Sequence, residues 1–486
     1  MALPSTEDPM TDPELLSIAE AQVAQYRRSR ILDDCSFGLL LARSRGPTDV
    51  RNAILKERPL AARLAELSVG EPDPAALREE AAAVGLLAAE PQVLALRRLY
   101  PSLDLGVYCA SHSMGKPSAA LPLAMELHHG QHHAIGIGVW HDGTWLAAID
   151  DFREAVAELV GSDLGQGEVV WFANVSEALS ALLWGQTGRL VTTEGHFTTA
   201  HYIHQAWAER TGSVVVRIPV DADELVTTAQ VVEALTEDTT VVSLSHAHYR
   251  TGLLQDVEAI GAAMAERCPE AVLLLDAYQT LGTVPVDVAD LPPRTAVLGG
   301  GHKQLRAGTG AGFAWLGSAL VDRLDTPNTG WWAHRAPMEF DHGPFVPAEG
   351  AGRLCTGTPS VGPMVALVTE LRVLSALGGG DLGAAVRRVR ERSQAQIGAA
   401  LELARDLGLR VRGGRDPSSK AAFLAVWLPD GRQVVEHLDA EGVIVDFRAD
   451  SPGGSAGLVR VSANSVSFSY ELEYALRRVK RYSGRM

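Results

Sequence analysis

No CxxC pair, no long basic run and no apolar stretch of membrane length occur in this chain. The four cysteines, Cys35, Cys109, Cys268 and Cys355, stand far apart. That spacing argues against a thiolate zinc site or a disulfide framework, and it suits a reducing cytoplasm. No metal ligand set is expected. The formal net charge is −16 and no long basic run appears. Nonspecific nucleic-acid binding, which rests on phosphate contacts, is therefore not expected. The N-terminus is acidic and carries no apolar core of signal-peptide type. With no bilayer-length run, no membrane partner is expected either.

What remains is the composition of an ordinary soluble globular protein, with 46% apolar and 21% charged residues. At 486 residues the chain exceeds one small core and suits a large domain with smaller companions. Residues 15–41 and 75–100 alternate apolar and charged positions at helical spacing, so 1–104 is expected to be a helical N-terminal extension. From about residue 150, short apolar runs alternate with helical stretches. The runs are 168–172, 189–192, 213–218, 240–244, 271–275, 295–298 and 312–316, with helices expected at 176–183, 200–210, 228–234 and 256–266. Continuous apolar strands separated by helices predict an α/β fold with a mostly parallel seven-stranded sheet covered on both faces. This large domain is expected over 105–380, closing with a helix at 361–377. Residues 381–486 predict a smaller α+β domain: helix 382–407, strand 421–428, helix 433–441, strands 443–447 and 457–462, and a last helix at 469–482.

Ligands of such sheets sit beyond the carboxyl ends of the strands, so the loops after these runs carry the interest. Asp276 follows the run 271–275. A buried aspartate is costly without a partner. It could simply cap the next helix, or it could pair with a protonated pyridine nitrogen and make a cofactor ring an electron sink. After the following strand come Gly299, Gly300, Gly301, His302 and Lys303. A lysine in that loop is open to desolvation, which lowers its pKa and makes a good imine-forming amine. The order is not that of a Walker loop. Asn174, Val175 and Ser176 open a helix after strand 168–172. They suit an ordinary N-cap, a phosphate site at a helix N-terminus, or both. Phe197, after strand 189–192, is placed to stack on a cofactor ring.

From about Val107 to Arg481 the chain resembles the kynureninase subgroup of the class V aminotransferases, fold-type-I enzymes that use pyridoxal 5'-phosphate. Residues 108–115 resemble the family's "GNSLG" segment. His133, Gly136 and Trp140 match its H-x-x-G-x-x-x-W spacing, and Tyr249, Thr251 and Gly252 match Y-x-T-G. Residues 330–334 resemble GWFGH, and Val459, Arg460, Val461 and Ser462 resemble I-R-V-A. The resemblance implies Lys303 as the Schiff-base lysine and Asp276 as partner of the pyridinium nitrogen. It implies Val175, Ser176, Phe197, Gln279, His302 and Thr358 around the cofactor. It implies Ser113, His133, Trp331 and Arg460 around the substrate, with Arg460 on its α-carboxylate. It also implies a homodimer in which residues 356–359 and Trp331 reach the neighbouring site.

Some positions depart from the family. His302 stands for a Tyr, Gln279 for a His, Ala200 for an Asp, and Gly357-Thr358-Pro359 for Ser-Asn-Pro. The cofactor end is kept, while the groups that recognise kynurenine are changed. The expectation is a lyase acting on an amino-acid moiety with a free α-carboxylate. β-Elimination of an S-cysteinyl conjugate and decarboxylation with oxidative deamination both fit, as in relatives from lincosamide-type antibiotic pathways. Kynurenine hydrolysis, transamination and cysteine desulfuration are the alternatives.

Overall fold

The apolar runs lie side by side, because buried backbone N–H and C=O groups must find partners. The computed structural model describes residues 106–162 and 165–483, together with some positions between 93 and 103. A short strand, β1 (Val107–Tyr108), comes first. The large sheet follows with β2 (Gly167–Phe172), β3 (Arg189–Thr193), β4 (Val214–Ile218), β5 (Thr239–Ser245), β6 (Val272–Asp276), β7 (Thr295–Gly300) and β8 (Gly312–Gly317). Their order across the sheet is β2-β8-β7-β6-β5-β3-β4. Pairs β7–β6, β6–β5, β5–β3 and β3–β4 are parallel. Strand β8 runs against both its neighbours. The sheet is therefore mostly parallel, as expected, with one reversed strand. A loop without a helix joins β8 to β7, which is what an antiparallel neighbour requires.

Alternate residues of each strand leave opposite faces. Leu273 and Leu275 of β6 pack with Phe152 and Leu367, from helices α1 (Thr144–Leu159) and α2 (Val361–Ser375). Val272 and Leu274 face the other way. They join Leu179 of α3 (Val175–Leu182) and Trp207 of α4 (Thr198–Thr211). Each fully buried leucine contributes roughly 1.5–3 kcal/mol. Both faces are thus covered, and the strand ends are left to form loops. Against the expectation that no apolar run reaches membrane length, helix α2 with its following turn, residues 361–378, is long and apolar enough to cross a bilayer, the one such helix among the described residues, and it is mostly buried in this core.

A second, antiparallel sheet has the order β12-β13-β10-β9, from β9 (Arg410–Arg412), β10 (Phe423–Leu428), β12 (Asp446–Ala449) and β13 (Gly457–Ser462). Helices α5 (Leu382–Asp406) and α6 (Ser469–Tyr482) cover it through Ile397, Leu401, Leu472 and Leu476. The single strand expected at 443–447 is two. Strand β11 (Val443–Ile444) pairs in parallel with β1, and the chain then crosses at Val445 to pair with β13. The helices Ala120–Ile135 and Thr144–Leu159 were not expected from the sequence. The first reads ALPLAMELHHGQHHAI, where histidines and a glycine blur the helical period. The expected helix at 15–41 and most of that at 75–100 lie outside the described residues. Val93, Leu96, Leu99 and Tyr100 are buried in the core beside α1. Cys109, Cys268 and Cys355 are free thiols.

Candidate active site

The loops beyond the carboxyl ends of β2, β3, β5, β6 and β7 meet on one side of the large sheet. Together with the second sheet and the segment after β1 they enclose a cavity of about 230 Å³. Asn174, Val175 and Ser176 come from the start of α3, His196 and Phe197 from the loop after β3, and Tyr249 from that after β5. Asp276, Tyr278 and Gln279 follow β6, and His302 and Lys303 follow β7. His112, Ser113, Arg448 and Arg460 close the far wall.

Lys303 is the chemical centre. Burial lowers its ammonium to about 8, against the opposing pull of Asp276. The Tyr278 ring lies 4.7 Å from Nζ and the Phe197 ring 5.8 Å. With the Gln279 amide oriented so that both ends find partners, its oxygen accepts from Nζ at 3.1 Å and its nitrogen donates to the His112 carbonyl at 3.0 Å. The backbone here can pass only because Gly300 has no side chain: a Cβ would meet the Tyr278 hydroxyl at 2.4 Å. Asp276 accepts a hydrogen bond from the Tyr278 N–H at 2.9 Å. Burial raises its carboxyl, and the Lys303 charge works against that rise. The buried His196 stands behind it, with Nδ1 3.9 Å from a carboxylate oxygen. That Nδ1 accepts from the Phe197 N–H at 2.9 Å, and Nε2 has no partner. Burial and the neighbouring His204 and His201 keep His196 neutral.

Tyr278 Oη and His302 Nδ1 are 2.7 Å apart. Burial and Lys303 lower His302 to about 4, so it is a neutral imidazole. When the hydroxyl donates, the ring's proton is on Nε2. At the mouth of α3, Asn174 caps the helix by accepting from the Glu177 N–H at 3.0 Å. The N-cap and a helix N-terminus facing the cavity are therefore the same feature. Phe197 is 43% exposed and meets Tyr249 edge-on at 5.3 Å, which leaves a ring face to the cavity.

The far wall is dominated by charge. Arg460 is not free to await a carboxylate. Its guanidinium is buried and already paired with Asp446, and it also donates to the Tyr249 carbonyl and, at 2.8 Å, to Ser113 Oγ. A guanidinium sealed in the interior needs a counter-charge of its own, and Asp446 supplies it. Burial lowers Arg460 to about 10 despite that carboxylate, so it stays charged at neutral pH. Burial also opposes ionisation of Asp446. The surrounding His112, Arg460 and Arg448 outweigh it and hold the carboxyl well below its usual range.

The structure thus brings together Ser113, Val175, Ser176, Phe197, Asp276, Gln279, His302, Lys303 and Arg460. It does not bring in His133, Trp331 or Thr358. His133 and Thr358 are exposed, and Trp331 stacks on Phe340 at 5.4 Å, outside this chain's cavity. Sequence reasoning missed Asp446, Arg448, His112 and His196. The first two left a signal: charges two residues apart in an otherwise apolar run share one strand face.

The chain matches the model of the family described as aminotransferase class-V over residues 125–445, more than half of its length. It is 26% identical to a kynureninase of Pseudomonas fluorescens over 378 residues, covering 74% of this chain and 86% of that one. It is 30% identical to a kynureninase of Deinococcus radiodurans over 310 residues, covering 63% and 72%. Among solved structures, it resembles a cysteine desulfurase of Thermococcus onnurineus at TM-score 0.69 and 18% identity, over 80% of this chain and 98% of that one. It resembles a cystine C–S lyase in complex with cysteine persulfide at TM-score 0.67 and 20% identity, over 78% and 99%. Those two likenesses concern the fold.

Proposed function

The chain belongs to the class V aminotransferase family, and from that premise we propose that it is a lyase acting on the β side of an amino-acid substrate with a free α-carboxylate. Pyridoxal 5'-phosphate is the cofactor, and the residues present fit it. A buried lysine kept partly uncharged stands at the cavity floor, and a buried aspartate lacks a cation strong enough to offset its burial. The N-terminus of α3 opens beside them with Val175 and Ser176, and an exposed Phe197 face lies above. In this reading Lys303 holds the cofactor, Asp276 faces its ring nitrogen, α3 takes its phosphate with His302, and Phe197 covers its ring.

When bound, the cofactor withdraws electrons from the bonds to the substrate's α-carbon. The chain's own groups do the rest. Nζ of Lys303, its ammonium lowered by burial, would be poised to take and return a proton at the α-carbon. Gln279 fixes Nζ through its carbonyl and ties it to the His112 backbone. The arginine wall draws the carboxylate to the side opposite Lys303, which sets which bond faces the base. The observation that carries the reading is this placement of Lys303 between the Asp276 carboxylate and the arginine wall. No cysteine lines the cavity among the described residues. Cys355 faces a different recess, with its thiol raised by burial, so a desulfurase-type nucleophile is not favoured.

The changes at His302, Gln279 and Thr358 favour a leaving group other than the one kynureninase releases, such as a thiol from an S-cysteinyl conjugate in specialised metabolism. The relatives' own names keep kynurenine hydrolysis as the second reading. We also propose a homodimer in which Thr358 and Trp331 face the neighbour's cavity, since neither reaches its own. Incubating the holoenzyme with kynurenine and with S-substituted cysteines, followed by mass spectrometry, tests the assignment. Release of thiol and pyruvate supports it, and anthranilate from kynurenine replaces it with the second reading.

A further inference from the structure

Lys303 stands in a turn that an arginine closes. The Arg306 N–H donates to the Lys303 carbonyl at 3.1 Å. To do so Arg306 takes a φ of +61°, a left-handed backbone that a residue with a Cβ adopts only at a cost. Such conformations persist where the surroundings over-determine them. What surrounds Arg306 therefore bears on how Lys303 is held.

The Arg306 side chain is sealed in the interior. The residue is 2% exposed, and no nitrogen of its guanidinium makes a hydrogen bond among the described residues. Its partner is a ring: the guanidinium carbon lies 4.4 Å from the centroid of Tyr100. A desolvated cation over an aromatic face is stabilised by the ring's quadrupole. The hydroxyl of the same ring donates to Glu370 Oε2 at 3.2 Å. Glu370 is buried on α2, and its Oε1 accepts from the Ser118 N–H and Oγ, each at 2.8 Å. Tyr100 is thus wedged between a buried guanidinium and a buried carboxyl. Its face serves the first and its hydroxyl the second.

Tyr100 is itself held in place. Three residues earlier, Arg97 forms a buried ion pair with Glu471 of α6, with contacts of 2.8 and 3.2 Å. Arg97 also donates to the carbonyls of Leu103 and Val466, both at 3.1 Å. The Leu99 carbonyl accepts from the Ala119 N–H at 2.7 Å. Gly115 braces the turn from another side. Its N–H donates to the His302 carbonyl at 2.8 Å, and a Cβ there would collide with the Lys303 carbonyl and the Arg306 side chain.

We propose that Tyr100 and Arg306 form a clamp that positions Lys303. Glu370 fixes the ring, the ring holds the guanidinium, and the guanidinium keeps Arg306 in the left-handed backbone that closes the Lys303 turn. Both are positioning residues, and the segment carrying Tyr100 becomes part of the apparatus that presents the lysine. The inference rests on Lys303 as the cofactor lysine and names what holds it.

The test follows visible absorption as pyridoxal 5'-phosphate is added to cofactor-free enzyme prepared from the full chain, well below the melting temperature of every variant. Tyr100→Leu removes the ring and leaves the guanidinium. Uptake should slow by roughly ten- to thirtyfold, the scale of one desolvated cation–ring contact. Its pH midpoint should move above that of wild type, because a loosened turn admits water to the amine. Adding Arg306→Gly should recover most of the loss, since glycine takes the left-handed turn unaided and leaves no cation without its ring. The proposal is overturned if Tyr100→Leu lowers the melting temperature alone, or if the double variant is no faster than the single one. Should Tyr100→Leu not fold, Arg306→Met decides. It keeps the bulk and removes the charge, so the same slowing is expected and unchanged uptake overturns the clamp. A wild-type cofactor joined to another lysine would instead refute the assignment of Lys303 itself.

Discussion

Asp446→Asn removes one charge and almost no volume, which makes it a direct probe of the far wall. In the native protein the Arg460 side chain is 1% exposed and that of Asp446 is 16% exposed. The asparagine can still accept from the Phe447 N–H, but it cannot neutralise Arg460. Breaking a buried pair from one side costs about 3–5 kcal/mol, because a charge is left uncompensated. For units of 150–250 residues each kcal/mol moves the midpoint by roughly 2–4 °C, so the melting temperature should fall by about 6–20 °C. The sign of the pH dependence follows from the direction of the shift. The folded-state carboxyl is held below its unfolded value. Its contribution is complete above about pH 4, the ordinary aspartate value, and is lost as the pH falls toward the folded-state value. Thermal unfolding followed by circular dichroism should therefore show a wide gap between wild type and Asp446→Asn at pH 7 and a narrowing gap in acid. Adding Arg460→Met should restore much of the loss, since removing both charges leaves nothing unpaired. An unchanged midpoint for the single variant would refute the reasoning, as would a double variant no more stable than the single one.

Two further outcomes are expected. Because the Lys303 amine must be uncharged to react with a carbonyl, the rate at which apoenzyme takes up pyridoxal 5'-phosphate should rise with pH through about 8 and level off above it. A flat profile in stopped-flow absorbance would contradict the buried setting of that amine. Asp276→Asn keeps an acceptor for the Tyr278 N–H at nearly the same size, so it should fold normally yet lose about 10²–10³-fold in kcat, the scale of losing one preorganised electrostatic contact. Steady-state rates on the substrate found above check it.

Asp276 and Lys303 were visible in the sequence because each interrupts or follows a continuous apolar run, and both sit where strand ends open into loops. The direction of β8 was not visible. An apolar run buried on both faces looks the same whichever way it points, and only the helix-free connection from β7 distinguishes the two. The break at Val445 was hidden for a related reason: the run 443–447 is continuous, while its partners β1 and β13 lie far apart in the sequence. Arg460 stood out as a cation in an apolar strand. Its partner did not, because the pairing depends on the register of β12 against β13. His133, Trp331 and Thr358 came from resemblance alone, and a single chain leaves all three outside the cavity.

The central claim is that Lys303 is the residue to which the cofactor is joined. The sequence contains only five lysines, Lys56, Lys116, Lys303, Lys420 and Lys480, so peptide mapping separates them completely. Borohydride reduction of the holoenzyme followed by digestion and mass spectrometry should find the pyridoxyl group on the peptide containing Lys303 and on no other. A label on Lys420, which is fully buried, or on any of the remaining three would contradict the account.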